Sequence, residues 1–305
     1  MRALVLAMAV IAAILGPVSA QQVSDDHADV SVVKPAFTKN SGPVVAIDGG
    51  HHNFHTMDGR FAPFAALIRN DGFRVTGPNA AFTPQSLRDV KVLVVSNALN
   101  AVNVERWALP TPSAFTPSEI AAVKDWVNSG GALLLIADHL PFAGAAAGLA
   151  AAFGFRFLNG FALQASNEPD LFTLRQGTLK SDAVTRGRSP EEAVSSVETF
   201  TGSAFQAPAQ ARPIIVLSKP YQVLMPQVAW EFSNTTPKRP GEGYLQGAVL
   251  VAGKGRVAVF GEAAMFSAQV QGPNRVPVGF NDPAAGQNKQ FVLNVVRWLA
   301  GLLPD

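Results

Sequence analysis

The sequence predicts an α/β protein, a flavodoxin-like three-layer sandwich around a mostly parallel sheet, with a late β-hairpin and an insertion. Three observations carry that expectation. The runs 44–47, 91–96 and 132–137 are apolar without alternation, the composition of strands buried on both faces. Segments with helical spacing stand between such runs, so strand and helix alternate as in a parallel sheet with crossover connections. The runs also end in glycine or polar residues, which places chemistry at the C-terminal edge of the sheet, where open parallel sheets bind ligands.

The first twenty residues read as a signal peptide. Arg2 supplies a positive start, Ala3 to Gly16 an apolar run too short for a comfortable span, and Val18-Ser19-Ala20 the small residues a signal peptidase needs. Cleavage after Ala20 yields an exported product, periplasmic or secreted. Every later segment falls short of the roughly 18 uninterrupted apolar residues of a spanning helix, so no membrane span is expected once the leader is removed. Residues 21–42, with Asp25, Asp26 and His27, are polar and mixed and read as a linker or surface arm. Residues 43–305 are long enough for a single α/β domain.

Within that domain, Val44 to Ile47 is the first strand. Phe61 to Asn70 carries Phe61, Phe64, Leu67 and Ile68 at helical spacing, and Gly72 stands where that helix stops. Phe73 to Val75 and Lys91 to Ser96 are the next two strands. Thr116-Pro117-Ser118-Glu119 is a capping box with proline at the first helical position, and Ile120, Val123, Trp126 and Val127 form the stripe behind it. Gly130-Gly131 ends that helix, and a fourth strand follows over 132–137. Ala143 to Phe153 is a helix of small residues suited to lying close to a sheet, stopped by Gly154. Residues 159–212 lose apolar density and read as an insertion or cap over the strand edge. Regular structure returns at 213–217 and 228–232, and two strands around Gly253-Lys254-Gly255 make a hairpin. A polar loop over 271–288 and a helix from Lys289 to Ala300 complete the chain.

Composition excludes several function classes. The chain has no cysteine, so disulfides, thiolate metal sites and cysteine nucleophiles are absent. Its 24 Lys and Arg against 22 Asp and Glu are spread without a basic block and leave no footprint for nucleic acid. The expected partner is a small-molecule substrate or ligand, or a protein.

Three of only five histidines stand together in Asp48-Gly49-Gly50-His51-His52-Asn53-Phe54-His55. A fourth, His139, follows Asp138 after the strand at 132–137, and Glu262 ends the late hairpin. Neutral imidazoles with one or two carboxylates are a donor set for Zn²⁺ or another divalent metal, so His51, His55 and His139 are candidate ligands. Asp138, Glu262 and His139 are the candidate catalytic groups, a carboxylate serving as base in hydrolysis of a glycoside, ester or amide. Asp48, Gly49, Gly50, His52, Asn53, Asn97 and Arg186 are candidate substrate-binding residues, with Thr199 to Ser203 leaning over from the insertion. Trp107, Trp230 and Tyr244 are candidates for a carbohydrate-stacking surface. Each group also has a structural reading, in which Asp48 and Asp138 cap helix starts and the paired glycines serve a sharp turn.

Four stretches together resemble a known superfamily: Ala46-Ile47-Asp48 with its His-Asn-Phe-His tail, Trp126 to His139, Gly253 to Glu262, and the closing helix from Asn288 to Gly301. On these the chain resembles the class I glutamine amidotransferase-like superfamily, especially its exported branches and the trehalose-utilisation-like proteins. The likeness covers most of 43–155 and 246–301. Superfamily members that hydrolyse glutamine place a cysteine in the turn after the strand corresponding to 132–137. Here that turn holds Asp138 and His139, so thiol-based glutamine hydrolysis is excluded. The expected function is an exported, hydrolase-like enzyme for a small polar substrate, carbohydrate-derived and with metal assistance among the options. The alternative is a non-catalytic envelope module that binds a ligand or a protein in the same crevice.

Overall fold

The computed structural model of the chain describes residues 22–164 and 169–305; the expected leader and its cleavage position lie outside the described residues. The strands are β1 (Gln22–Ser24), β2 (Val44–Ile47), β3 (Arg74–Thr76), β4 (Val92–Ser96), β5 (Ala132–Ile136), β6 (Arg156–Gln164), β7 (Asp170–Thr173), β8 (Ser196–Thr199), β9 (Gly202–Gln206), β10 (Arg212–Val216), β11 (Tyr221–Leu224), β12 (Lys238–Pro240), β13 (Leu245–Ala252), β14 (Gly255–Phe260), β15 (Ala268–Gln271) and β16 (Val276–Gly279). The helices are α1 (Ala62–Asn70), α2 (Pro84–Leu87), α3 (Pro117–Asn128), α4 (Phe142–Ala151), α5 (Ala183–Arg186) and α6 (Asn288–Leu299).

A central sheet runs in the order β12-β11-β6-β9-β13-β14-β5-β4-β2-β3, with β10 paired to β13. The stretch β14-β5-β4-β2-β3 is parallel throughout. The hairpin β13–β14, turned at Gly253 with φ near 60°, joins it to antiparallel strands beyond. The fold is therefore mixed α/β, as the sequence predicts.

The three layers follow from which way alternate residues point. Val45, Val92, Val94, Leu134 and Phe260 belong to one core with Phe64, Leu67 and Ile68 of α1 and Phe291, Val295 and Trp298 of α6. Their neighbours Ala46, Leu93, Val95, Leu133, Leu135 and Val259 belong to the opposite core with Val123 and Val127 of α3 and Leu149 of α4. Because both faces are covered, the strands must be apolar at consecutive positions, which is why they were readable as unbroken runs. The capping box forms as expected. Thr116 Oγ1 accepts from the Glu119 amide at 3.3 Å and Glu119 Oε2 accepts from the Thr116 amide at 2.9 Å. Helix α4 lies as close to β6 as its small residues permit; a Cβ on Gly144 would collide with Thr111 and Asn159.

Elsewhere the structure departs from the sequence reading. Within 159–212, β6 and β9 are strands of the central sheet, and what stands off it is the β7–β8 ribbon with α5. Strand β6 escapes detection because its pairing with β9 shifts between Leu158 and Ala162, around Asn159 and Gly160, which interrupts the apolar run. Residues 228–232 form no strand. Val228 makes one bridge to Ala108, and Trp230 turns the backbone away with φ near 68°. The expected loop over 271–288 contains β16, which pairs with β15, and β15 in turn pairs with β1. The start of the 21–42 arm is thus a strand of a small three-stranded sheet.

Candidate active site

Four parallel neighbours, β2, β4, β5 and β14, end at one rim of the sheet. The residues that follow them are Asp48, Asn97, Asp138 and Glu262. Backbone hydrogen bonds continue the register past the strand ends, with the Asn97 amide donating to Ile136 O at 3.0 Å and the Ala137 amide to Phe260 O at 3.0 Å. The rim opens into a cavity of about 660 Å³ lined by Asp138, His139 and Glu262. Phe54, Trp107, Phe142, Phe200 and Trp230 form its aromatic wall, and Gln22, Arg60, Thr201, Ala264, Gln271 and Val278 complete the lining.

Asp138 is gripped by Asn97. Its Oδ2 accepts from Asn97 Nδ2 at 2.8 Å, and its amide donates to Asn97 Oδ1 at 2.9 Å. Asn97 itself has φ near 49°, a left-handed conformation that asparagine tolerates better than most residues. The other oxygen, Oδ1, is buried without a partner among the described residues. Burial pushes the Asp138 carboxyl up to about 7, against the hydrogen bonds from Asn97 and the Ala263 amide. Glu262 accepts from the amides of Ala264 and Met265, each at 2.8 Å. Its carboxyl is still raised well above the ordinary range, first by burial and then by the charge of Asp138. Two carboxylates that resist joint ionisation titrate as a unit, so near neutral pH this pair holds a proton that either member can give up.

His139 is neutral and fixed. Its Nδ1 donates to Leu140 O at 2.8 Å, which leaves Nε2 as the acceptor nitrogen, and burial holds the ring down to about 4. The imidazole stacks on Phe161 at 4.3 Å with an interplanar angle of 9°, and Trp230 meets it edge-on at 4.8 Å.

The three-histidine turn lies at the same rim, yet its rings do not enter this cavity. His51 is clamped from both sides: Nδ1 lies 2.9 Å from Asp48 Oδ2 and Nε2 lies 2.9 Å from Glu119 Oε1. Burial opposes a charge on this ring, but the two carboxylates outweigh it and raise its pKa. An imidazolium donating at both nitrogens has no lone pair to offer a metal. His55 is buried with Nδ1 3.3 Å from Ser96 Oγ, its ring against Phe54 and Phe61, and burial followed by the nearby charge of Arg60 holds it down to about 3. Among the described residues no group of three or more His, Asp or Glu is arranged to hold a metal ion, so the expected trio of His51, His55 and His139 does not assemble.

Most of the expected substrate-binding residues serve the turn. The Gly49 amide donates to Pro78 O, and a Cβ on Gly50 would stand 2.9 Å from Ala80 N. Asn53 Nδ2 donates to Asp48 Oδ2 at 3.0 Å, and its Oδ1 accepts from the His51 amide. Asp48, fully buried, is therefore spent on His51, Gly50 and Asn53. His52 is exposed with φ near 47°, and the exposed Arg186 side chain reaches Ser181 Oγ at 3.4 Å, outside the cavity lining. Asn97 acts on Asp138 as a positioning residue. Of the aromatic candidates, Trp107 and Trp230 line the cavity and Tyr244 packs against the core. Of the stretch from the insertion, Phe200 and Thr201 line it. Arg60, Phe54 and Phe142 were missed. Phe54 lay inside the histidine stretch, and the other two carried no local signal.

No family model and no curated protein matches the chain. Solved structures do. The mmIFT52 N-terminal domain is similar with a TM-score of 0.57 at 14% identity, over 84% of this chain and 97% of that one. A cytoplasmic protein from Salmonella typhimurium LT2 is similar with a TM-score of 0.48 at 14% identity, over 85% of this chain and 98% of that one. A ThuA-like protein from Bacteroides uniformis is similar with a TM-score of 0.47 at 12% identity, over 88% of this chain and 93% of that one. At such identities the first of these speaks to the fold alone.

Proposed function

We propose that the chain is an exported, hydrolase-like enzyme that works on a small polar, carbohydrate-derived substrate in the cavity at the ends of β5 and β14. The observation that carries this reading is the pair of buried carboxyls, Asp138 and Glu262, sharing one cavity with raised proton affinity. In such a pair the protonated carboxyl gives its proton to the leaving oxygen, while the ionised one takes a proton from the attacking water. The bond to the leaving group breaks, the bond to water oxygen forms, and the pair again holds one proton. The aromatic wall fits the apolar face of a sugar ring and keeps bulk water from the acids. The proton transfers are assigned to the two carboxyls that line the cavity.

Within this reading the chain is placed in a cysteine-free, exported branch near the trehalose-utilisation-like proteins, on the motifs quoted above. N-terminal sequencing of the product secreted by an expressing cell checks the export half, with a mature chain beginning at Gln21 as the expected result. The catalytic half is checked with a panel of glycosides and sugar esters. Asp138→Asn and Glu262→Gln should each lower kcat at least about a hundredfold on any substrate turned over, with binding largely kept. A wild type that binds sugars and turns none over, with both variants binding equally well, would make the protein a ligand-binding module.

A further inference from the structure

Arg60 stands on the cavity wall with no carboxylate partner among the described residues. Its Nε donates to Gln22 O at 2.8 Å and its Nη1 to Phe54 O at 3.3 Å, and the guanidinium lies over the Phe54 ring at 3.7 Å. These contacts use two of a guanidinium's five N–H donors and fix its plane, but they do not neutralise it. Three other partly or fully buried arginines are ion-paired, whereas among the described residues the half-buried Arg69 meets only Met57 Sδ, outside the cavity. Arg297 lies 2.6 Å from Asp71, Arg212 lies 2.6 Å from Asp182 and Arg256 lies 2.7 Å from Asp305. No ion pair joins Arg60 to any of the described residues. A half-buried cation without a counter-charge is costly, and burial does lower its proton affinity.

The acid pair is not that counter-charge. No ion pair within 4.0 Å joins Arg60 to Asp138 or Glu262, although all three line the cavity. The cation and the acids therefore occupy separate parts of one cavity wall, with the aromatic residues around them. A ligand spanning the cavity would meet the acids at one place and a pre-oriented, unspent guanidinium at another. Among the described residues Arg60 is the one permanent cation in the lining, and His139 is neutral, so the complement is a single negative charge in preference to a doubly charged phosphate.

Resting on the carbohydrate reading above, we propose that Arg60 is the specificity residue of the cavity and selects substrates that carry a carboxylate, which in the carbohydrate class means a uronic acid. The planar fork matches a carboxylate through two parallel hydrogen bonds, and the backbone of β1 and of Phe54 holds it ready.

The test titrates the purified full-length mature protein with D-glucuronate, D-glucuronamide and D-glucose, read by saturation-transfer NMR and by the fluorescence of Trp107 and Trp230. D-galacturonate and its amide serve as a second series. The wild type should bind at least one acid about tenfold or more tighter than its amide, and Arg60→Gln should bring the two together by weakening the acid far more than the amide. Arg60→Lys, which keeps the charge without the fork, should retain part of the preference. An amide bound as tightly as its acid by the wild type overturns the proposal and leaves the carbohydrate reading standing. So does an acid preference that survives Arg60→Gln in a protein of unchanged Tm. Failure of all five sugars to bind overturns the carbohydrate reading and this proposal with it.

Discussion

Asp138 shows how one residue's surroundings set its chemistry. A carboxyl with one oxygen bonded to Asn97 and the other buried without a partner among the described residues is poorly compensated as an anion. The consequence for stability has a definite sign. A carboxyl whose pKa rises from the ordinary 3.8 to about 7 on folding keeps its proton in the folded state over a range where the unfolded chain has lost it. Its contribution is fully present below the unfolded value and is lost as pH rises through the folded one, so stability falls between about pH 4 and pH 7. Asp138→Asn should flatten that fall, and urea denaturation of wild type and variant at pH 5 and pH 8 measures it. A variant with the wild-type pH dependence would show that Asp138 is ionised throughout. At this scale the sequence was half legible. Polar residues after apolar strands pointed to Asp138, His139 and Glu262, and the structure brings all three to the lining of one cavity. The same rule misassigned His51, because nothing local to Asp48–His55 reveals that Glu119, far along the chain, occupies the second ring nitrogen.

At the scale of elements, that Glu119 contact is a tie between two of them. Glu119 closes the capping box of α3 with one oxygen and reaches His51 in the turn after β2 with the other. Its carboxyl is held down to about 2: burial works against this, and His51, Thr116 and the Phe82 amide outweigh it. The linkage runs opposite to that of Asp138. The stabilisation is present above the ordinary value of 4.5 and is lost as pH falls through about 2. Glu119→Ala removes the cap and leaves a buried imidazolium with one partner, so a loss of about 3–5 kcal/mol is expected in urea denaturation at pH 7. A loss under about 1 kcal/mol, the size of an ordinary cap, would show that the His51 contact adds nothing. The capping box itself was visible as Thr116-Pro117-Ser118-Glu119, since capping needs only neighbours in sequence. Strand β6 and the turn at Trp230 were not, because a bulge and a left-handed tryptophan are imposed by tertiary contacts such as Trp230 against Phe161.

On the scale of the whole molecule, the parallel half of the central sheet builds the rim, while loops and the small β1-β15-β16 sheet help to wall the cavity. Strands β2, β4, β5 and β14 bring Asp48, Asn97, Asp138 and Glu262 to one edge. The segments that overhang it come from β1, from the turn at Trp230 and from the hairpin β15–β16, all of which the sequence left as arm, mislaid strand or loop. That division is physical. Long buried strands announce themselves through composition, whereas cavity walls are made of short pairings whose partners lie far away in the chain. At that rim Asp138 and Glu262 titrate as a pair that still holds a proton at neutral pH. A carboxyl ¹³C NMR titration of the full-length mature protein, with signals assigned through Asp138→Asn and Glu262→Gln, tests it directly. One of the two signals should move near pH 7 and the other stay protonated well above the usual carboxylate range, with each variant shifting its partner's titration. Both signals moving independently near pH 4 would contradict it.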